Sequence, residues 1–510
     1  MVKTRIDTFM TSFLSQRNAI LWLILVNLIV RLAVVFGTTL GNDDVYYTLY
    51  ARYLDWSYFD HPPMVGYFIR LFTCNGYFLN NDFFARLASL FVGTINLWIV
   101  YKIGILLKDK ITGLIAATLL AASFYGSVIV GVFILPDTPQ SLFWLASLWS
   151  FLKFIETKNN RFLLFFGMLV GLAMLSKYHA VYLWVGSLLY LLMYDRRSLF
   201  SFYTFTAWLF TLLLFSPVIY WNLTSPMSGI AYHSSRVGGA SWMPSLVHFF
   251  PTFLGQIFYQ NPFVVGLIFY CIWVFRNEIK QNKNAVFLSL TSLPLLFSTT
   301  VLSLYNETLP HWSGPAFYGL ILIASFFYTH RKLLFQRIIA VSHLFFFLVI
   351  LFGLVQINTG ILLGKENLPA NKLGSDDFTI DLAMWDEARE VLIHFVTSDT
   401  IAMRSPVVFC DKWFPAAHID YYMATPNGLP LFVLGDLNSQ HLYAKINQER
   451  GIDSLQGDAY FVCTSRYFCS PKDYLKSQYD YDVEKPTVLT VSKAGKKRMN
   501  VFVWRLKRKA

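Results

Sequence analysis

Residues 40–72 read LGNDDVYYTLYARYLDWSYFDHPPMVGYFIRLF. This stretch follows the first long apolar segment and is the densest polar and aromatic stretch of the N-terminal half. Asp43 and Asp44 stand side by side where that segment ends, and Asp60-His61-Pro62-Pro63 comes about one short helix later. Tyr46, Tyr47, Tyr50, Tyr53 and Leu54 recur at helical spacing, which predicts a short helix with one aromatic face. Tyrosine rings favour a membrane interface, so such a helix is expected to lie there. Asp60 ahead of a proline pair predicts the cap of a second short helix starting at Pro62. The stretch therefore predicts an acid pair held at the mouth of a membrane bundle by two surface-lying helices.

The composition around it fits a bundle of that kind. The chain has 510 residues, 55% hydrophobic and 18% aromatic, and only 14% charged. A soluble domain carries about 25% charged residues, so this is expected to be a polytopic membrane protein. The net charge of +12 comes mostly from short loops. Orientation explains it better than nucleic-acid binding. Met1 to Arg17 is polar and basic, and the run after it is long enough to span, so no removable signal peptide is expected. The five cysteines lack metal-ligand spacing.

Apolar runs long enough to span fall near 19–39, 83–107, 112–134, 138–155, 162–176, 178–194, 201–221, 252–275, 285–304, 313–329 and 338–362. That predicts eleven spans. One alternate set of loops holds Lys3, Arg5 and Arg17; Lys108 and Lys110; Lys153, Lys158 and Arg161; Arg196 and Arg197; Arg276, Lys280 and Lys283; and Arg331, Lys332 and Arg337. By the positive-inside rule these loops are cytoplasmic. The N-terminus is then inside, and everything after Leu362 is outside. The other loops hold Asp43, Asp44, Asp60 and His61, then Asp137, then Lys177, then His233 and Arg236, then His311. The chemically versatile residues gather at one face, although only lysine and arginine set the topology.

After residue 362 the composition turns polar. Residues 363–510 are long enough for their own core and are expected to form an extracytoplasmic α/β domain that folds separately. Ser405–Cys410, Leu431–Leu434, Tyr460–Cys463, Thr487–Val491 and Asn500–Arg505 read as strands. Asp381–Val396, His418–Ala424, Asn438–Gly451 and Pro471–Tyr479 read as helices. Cys463 and Cys469 are placed to pair in an oxidising compartment.

Each site candidate also has a plain structural reading. Asp43 and Asp44 would suit the positive end of the Tyr-rich helix, but one cap does not need two acids. Asp137, between Pro136 and Pro139, could cap the fourth span. Lys177 could reach the interface with its long side chain, yet it runs against the positive-inside trend, which favours a lipid-phosphate partner. His61 and His311 form a weak metal pair. His233 and Arg236, at helical i, i+3 spacing, would suit an anionic ligand as well as a solvated loop.

These residues together resemble a family. Asn-Asp-Asp before a Tyr-rich helix, then Tyr-Phe-Asp-His-Pro-Pro-Met-Val, resembles the first outer loop of GT-C type membrane glycosyltransferases. The chain is similar to their bacterial branch, akin to protein O-mannosyltransferases and lipid A aminoarabinose transferases. Leu135-Pro-Asp-Thr-Pro139, Gly171-Leu-Ala-Met-Leu-Ser-Lys177-Tyr-His179, Trp221-Asn222 followed by Arg236, and Pro310-His311-Trp312 follow in the same order over residues 20–330. Two regions follow from this: a glycosyltransferase domain, 1–362, with a catalytic first outer loop at 40–82, and the outer domain, 363–510.

The resemblance implies a GT-C fold in the bacterial cytoplasmic membrane and a polyprenyl-phosphate-linked sugar as donor. It also implies a lipid, glycan or protein acceptor at the outer face. Asp43 or Asp44 is implied as the catalytic acid, with Asp137 as the second outer acid. Asp-Asp stands where many relatives have Asp-Glu, which leaves open which acid acts. Asp60, His61, Lys177, His233, Arg236 and His311 are the substrate-binding candidates. No nucleotide-binding fingerprint is present and no cofactor is required; a divalent ion at the acids is compatible with the residues. A secondary transporter or flippase of lipid-linked sugars is the alternative, since charges inside a bundle suit it. Transporters, however, tend to place charges near the midplane and to carry internal repeats.

Overall fold

The computed structural model describes residues 18–225, 229, 243–362, 368–399, 406–452, 457–471, 475 and 481–508. The longer helices before residue 360 are α1 (Ala19–Phe36), α2 (Asn42–Arg52), α3 (Met64–Phe72), α4 (Asp82–Leu107), α5 (Lys110–Ala121), α6 (Asp137–Thr157) and α7 (Asn160–Met174). They continue with α8 (Val181–Tyr194), α9 (Phe202–Thr224), α10 (Leu246–Tyr259), α11 (Pro262–Val274), α12 (Lys283–Leu302), α13 (Ala316–Phe326) and α14 (Lys332–Thr359).

Each of the eleven apolar runs contains a helix. Five helices among the described residues are long and apolar enough to cross a membrane, and a sixth is the pair α10 and α11, bent by 92°. Helix length and apolarity alone therefore support five or six of the eleven expected spans. The run at 112–134 is helical only to Ala121 and then turns into a π-helical turn, Tyr125–Ile129. The run at 313–329 holds an 11-residue helix. The chain is a multi-pass membrane protein.

Side-chain caps fix several helix starts. Asp109 accepts from the Thr112 amide, Asn159 from Arg161, Ser201 from Thr204, and Asn282 from Asn284 and Ala285. These residues occupy the first-turn donors that a helix leaves unpaired.

The chain forms two compact units. The first comprises the described parts of Met1–Ala33, Leu54–Phe72 and Arg86–Val349; the second comprises those of Val34–Tyr53, Thr73–Ala85 and Ile350–Ala510. The division does not follow the composition change at residue 362. The Tyr-rich helix α2 belongs with the C-terminal segment.

The second unit is built on a six-stranded sheet of order β2-β1-β3-β6-β4, with β5 also on β6. The strands are β1 (Val407–Cys410), β2 (Leu431–Val433), β3 (Ala459–Thr464), β4 (Tyr481–Val483), β5 (Thr487–Lys493) and β6 (Lys496–Arg508). β1 runs parallel to β2 and β3, while β6 is antiparallel to β3, β4 and β5. Every residue of β1, β2 and β3 is buried, as expected of strands covered on both faces. Alternate residues Val407, Phe409, Phe432, Leu434, Phe461, Cys463, Phe502 and Trp504 line one core. The strands expected from sequence are present, and the three residues of β4 are an addition. The helices near 381–396, 418–424 and 438–451 form as α15 (Trp385–Ser398), as α16 (Trp413–Ile419) continued by a π-helical turn, and as α17 (Tyr443–Glu449) after a short turn of helix. The helix expected at 471–479 lies outside the described residues, apart from 471 and 475. Cys463 and Cys469 are not joined by a disulfide; Cys463 Sγ lies 3.2 Å from the Cys469 carbonyl oxygen.

The α2 helix departs from the interfacial helix expected. Residues 44–51 are all buried. Tyr46 packs on Trp413 of α16, with ring centroids 4.7 Å apart, and its hydroxyl accepts from the Leu442 amide. Polar ties extend along the segment. Leu40 donates its amide to the Tyr422 hydroxyl, and its carbonyl lies 3.0 Å from His418 Nε2. Arg52 bonds Thr425, and Arg450 reaches the Tyr53 hydroxyl while pairing with buried Asp420. Aromatic faces suit a protein surface as well as a membrane interface, and here the hydrogen bonds select the protein.

Candidate functional site

In the first unit, three breaks between helices bring three of the expected residues together. Asp137 opens α6 after Pro136; Pro139 is tolerated in the first turn, where its missing N–H has no helical partner. Lys177 is extended (φ −160°, ψ 135°) between α7 and the 3-10 turn Tyr178–Ala180 that leads into α8. His311 lies in the 3-10 turn Pro310–Ser313, between α12 and α13.

The Lys177 Nζ is 2.8 Å from Asp137 Oδ2, and the two side chains are 4% and 1% exposed. His311 Nε2 lies 3.8 Å from the same oxygen. The Tyr125 hydroxyl donates to the other oxygen, Oδ1, at 3.1 Å. Both carboxylate oxygens are therefore engaged. Burial pulls the His311 pKa down to about 4; Asp137 opposes this shift and Lys177 reinforces it. The imidazole is neutral near pH 7, so its contact with Asp137 is not an ion pair there.

A buried ion pair is costly unless its geometry is good and the remaining donors are used. Lys177 carries three N–H donors, and among the described residues one goes to Asp137. The other two have no partner among the described residues.

The Asp60 motif lies in the same unit. The chain passes Pro62 and Pro63 before α3 starts at Met64, two residues later than expected. The Met64 amide donates to the Leu175 carbonyl, two residues before Lys177. Met64, Leu175 and Val218 share a small core with Tyr67, Phe68 and Tyr178. Tyr178 lies beside Ser57, Asn222 and Asp60. His61 is half-buried in this loop, and its carbonyl accepts from the Tyr58 amide.

Asp43 and Asp44 belong to the second unit. Asp44 is buried and its Oδ2 accepts the Gly41 amide at 3.1 Å; Asp43 is exposed. His233 and Arg236 lie outside the described residues. Among the described residues there is no group of three or more His, Cys, Asp and Glu that could hold a metal ion. Sequence reading did not single out Tyr125. It lies within an apolar run, and nothing in its neighbours marks it.

Residues 60–221 match the family model described as dolichyl-phosphate-mannose-protein mannosyltransferase. The match takes in Asp60, Asp137 and Lys177 and stops short of Asp43 and Asp44. No curated protein matches the chain in sequence. In fold, the chain is similar to the crystal structure of ArnT from Cupriavidus metallidurans bound to undecaprenyl phosphate, with a TM-score of 0.63 at 14% identity over 96% of this chain and 98% of that one. The apo state of ArnT from the same organism gives 0.61 at 16% identity over 95% and 97%. The archaeal oligosaccharyltransferase AglB from Archaeoglobus fulgidus, in complex with an inhibitory peptide and a dolichol-phosphate, gives 0.50 at 12% identity over 87% and 69%. The resemblance to GT-C type membrane glycosyltransferases drawn from the motifs is borne out by the family model and by the fold.

Proposed function

We propose that this protein is an inverting glycosyltransferase. It takes a sugar from a polyprenyl-phosphate donor and passes it to a lipid, glycan or protein acceptor at the outer face of the bacterial cytoplasmic membrane. The observation that carries this reading is the buried Lys177–Asp137 pair with neutral His311 beside it. A neutral imidazole and an ammonium with two donors unpartnered among the described residues suit a phosphate. Undecaprenyl phosphate bound to ArnT, a protein of similar fold, supports the same ligand class.

In this reading Lys177 holds the donor phosphate, and Asp137 fixes the ammonium rather than acting as a base. Arg236 and His233 remain candidates for the same headgroup. Asp60 and His61 bear on the turn that carries Lys177, through the Met64–Leu175 bond. Asp43 is the candidate base. The acceptor hydroxyl gives its proton to a carboxylate base as its oxygen bonds the anomeric carbon. The bond from that carbon to the phosphate oxygen breaks, and its electron pair leaves with polyprenyl phosphate, where Lys177 stabilises the charge. A single displacement inverts the anomeric centre.

The test is transfer from a polyprenyl-phosphate sugar by purified full-length protein, with Lys177→Ala as control. Release of polyprenyl phosphate coupled to glycosylation of an acceptor is expected from the wild type. Movement of intact donor across a vesicle membrane, without cleavage, would replace this reading with transport.

A further inference from the structure

One buried charge is not used by the reaction above. Arg31 of α1 is 2% exposed, and among the described residues no carboxylate pairs with it. Such a residue inside a bundle is costly and calls for a role. Its guanidinium meets backbone: Nε donates to the Ser127 carbonyl at 3.1 Å and Nη2 to the Gly126 carbonyl at 3.4 Å. Both carbonyls belong to the π-helical turn Tyr125–Ile129. Asn27, one helical turn before Arg31, donates to Ser127 Oγ, and that hydroxyl donates to the Ala121 carbonyl. Two side chains of α1 therefore grip one turn.

The space for this grip exists only because two neighbours are glycine. A Cβ on Gly93 would lie 2.5 Å from Arg31 Nη1, and one on Gly131 would lie 2.6 Å from Nε. The gripped turn begins with Tyr125, whose hydroxyl holds Asp137 Oδ1. π-helical turns are often found at functional sites. Their widened backbone needs outside partners for its carbonyls.

We infer that Arg31 is a positioning residue for the Asp137–Lys177 site. It pins the π-helical turn so that Tyr125 orients the Asp137 carboxylate, which in turn orients Lys177. The inference rests on the reading of that site as the donor-phosphate site. The chain of action runs Arg31, Gly126 and Ser127 carbonyls, Tyr125, Asp137, Lys177, and each link is a hydrogen bond or a backbone step.

The experiment is a double-mutant cycle read by binding of undecaprenyl phosphate to the purified full-length protein. Arg31→Gln and Tyr125→Phe are each expected to weaken binding about tenfold, the size of one hydrogen bond to a charged group. The double variant is expected to be no weaker than either single one, because both break the same chain. Gly93→Ala, whose Cβ would press on the guanidinium and on the Gly131 backbone, is expected to weaken binding in the same way. Arg31→Lys, which can still reach one carbonyl, is expected to restore part of the loss. If Arg31→Gln does not accumulate as folded protein, Gly93→Ala and Arg31→Lys combined with Tyr125→Phe supply the cycle. Fully additive losses, or unchanged binding in the Arg31 variants, overturn the inference. Lys177→Ala separates the two levels. Unchanged binding there removes the phosphate site itself, whereas weakened binding with unaffected Arg31 variants removes only the positioning role.

Discussion

The Oδ2 atom of Asp44 lies 3.1 Å from the amide nitrogen of Gly41, so this buried carboxylate closes the start of its own helix. Its exposed neighbour Asp43 points elsewhere, because adjacent residues of a helix face different directions. Asp43→Asn is expected to fold normally and to lose about 10²–10⁴ in transfer rate, the loss of a general base. Asp44→Asn retains an oxygen that can accept from Gly41 and should lose much less. Asp44→Ala should cost about 0.5–1.5 kcal/mol of stability through the lost hydrogen bond to the Gly41 amide. Rates and melting curves on the same preparations check this. Full activity in Asp43→Asn removes it as the base.

Lys177→Ala is expected to weaken donor binding by about 1.5–3 kcal/mol, the range for a hydrogen bond to a charged group. Asp137→Ala leaves the ammonium buried without its carboxylate and should destabilise the first unit by roughly 3–5 kcal/mol. The double variant Lys177→Met with Asp137→Leu buries no charge and should be more stable than Asp137→Ala. Thermal unfolding in detergent orders the three. A double variant less stable than the single one contradicts the ion-pair account.

Asp137, Lys177 and His311 were legible as polar residues interrupting apolar runs, and those interruptions are the helix breaks that bring them together. Tyr125 was not legible, because the widening of a helix by one residue is a property of its backbone hydrogen bonds and leaves no residue signature. The α2 helix was legible as a helix but not in its surroundings. Tyr46 and Tyr50 fit a membrane interface or a protein surface equally well, and the partners that decide, Trp413 and Leu442, lie nearly four hundred residues away. The β4 strand escaped notice because three residues carry too little alternation, and it exists only as a partner to the end of β6.

The second unit should lose stability in acid through His418. Burial lowers its pKa to about 3, and the bond to the Leu40 carbonyl only partly opposes this. The fold therefore holds the neutral ring, stacked on Trp385 at 4.2 Å, while the unfolded chain takes up a proton below about 6.5. This contribution is complete above about pH 6.5 and falls by about 1.4 kcal/mol per pH unit as the pH drops toward 3. His418→Phe keeps a stacking ring and cannot titrate, so its melting temperature should depend less on pH between 4.5 and 6.5. Parallel pH dependence in the two proteins would assign the acid sensitivity to other groups.

Tyr422 is expected to act on catalysis by holding the segment that carries Asp43. Its hydroxyl accepts the Leu40 amide at 3.0 Å and donates to Asp82 Oδ2 at 2.6 Å. Leu40 immediately precedes Gly41, the residue at the cap of α2. Tyr422→Phe keeps the ring and its stacking on His418 but leaves the Leu40 amide without its acceptor. The cost is about 1–3 kcal/mol for a buried donor left unsatisfied. Arg450→Met acts at the other end of α2, where it removes the contact with the Tyr53 hydroxyl and leaves Asp420 buried without its guanidinium. If these contacts hold the acid, both variants should lower kcat while the donor KM stays near the wild-type value, because Lys177 belongs to the other unit. A raised KM with unchanged kcat would instead tie these residues to donor binding. Unchanged kinetics in both variants, on protein shown to be folded, would reduce the contacts between α2 and the C-terminal segment to structural support.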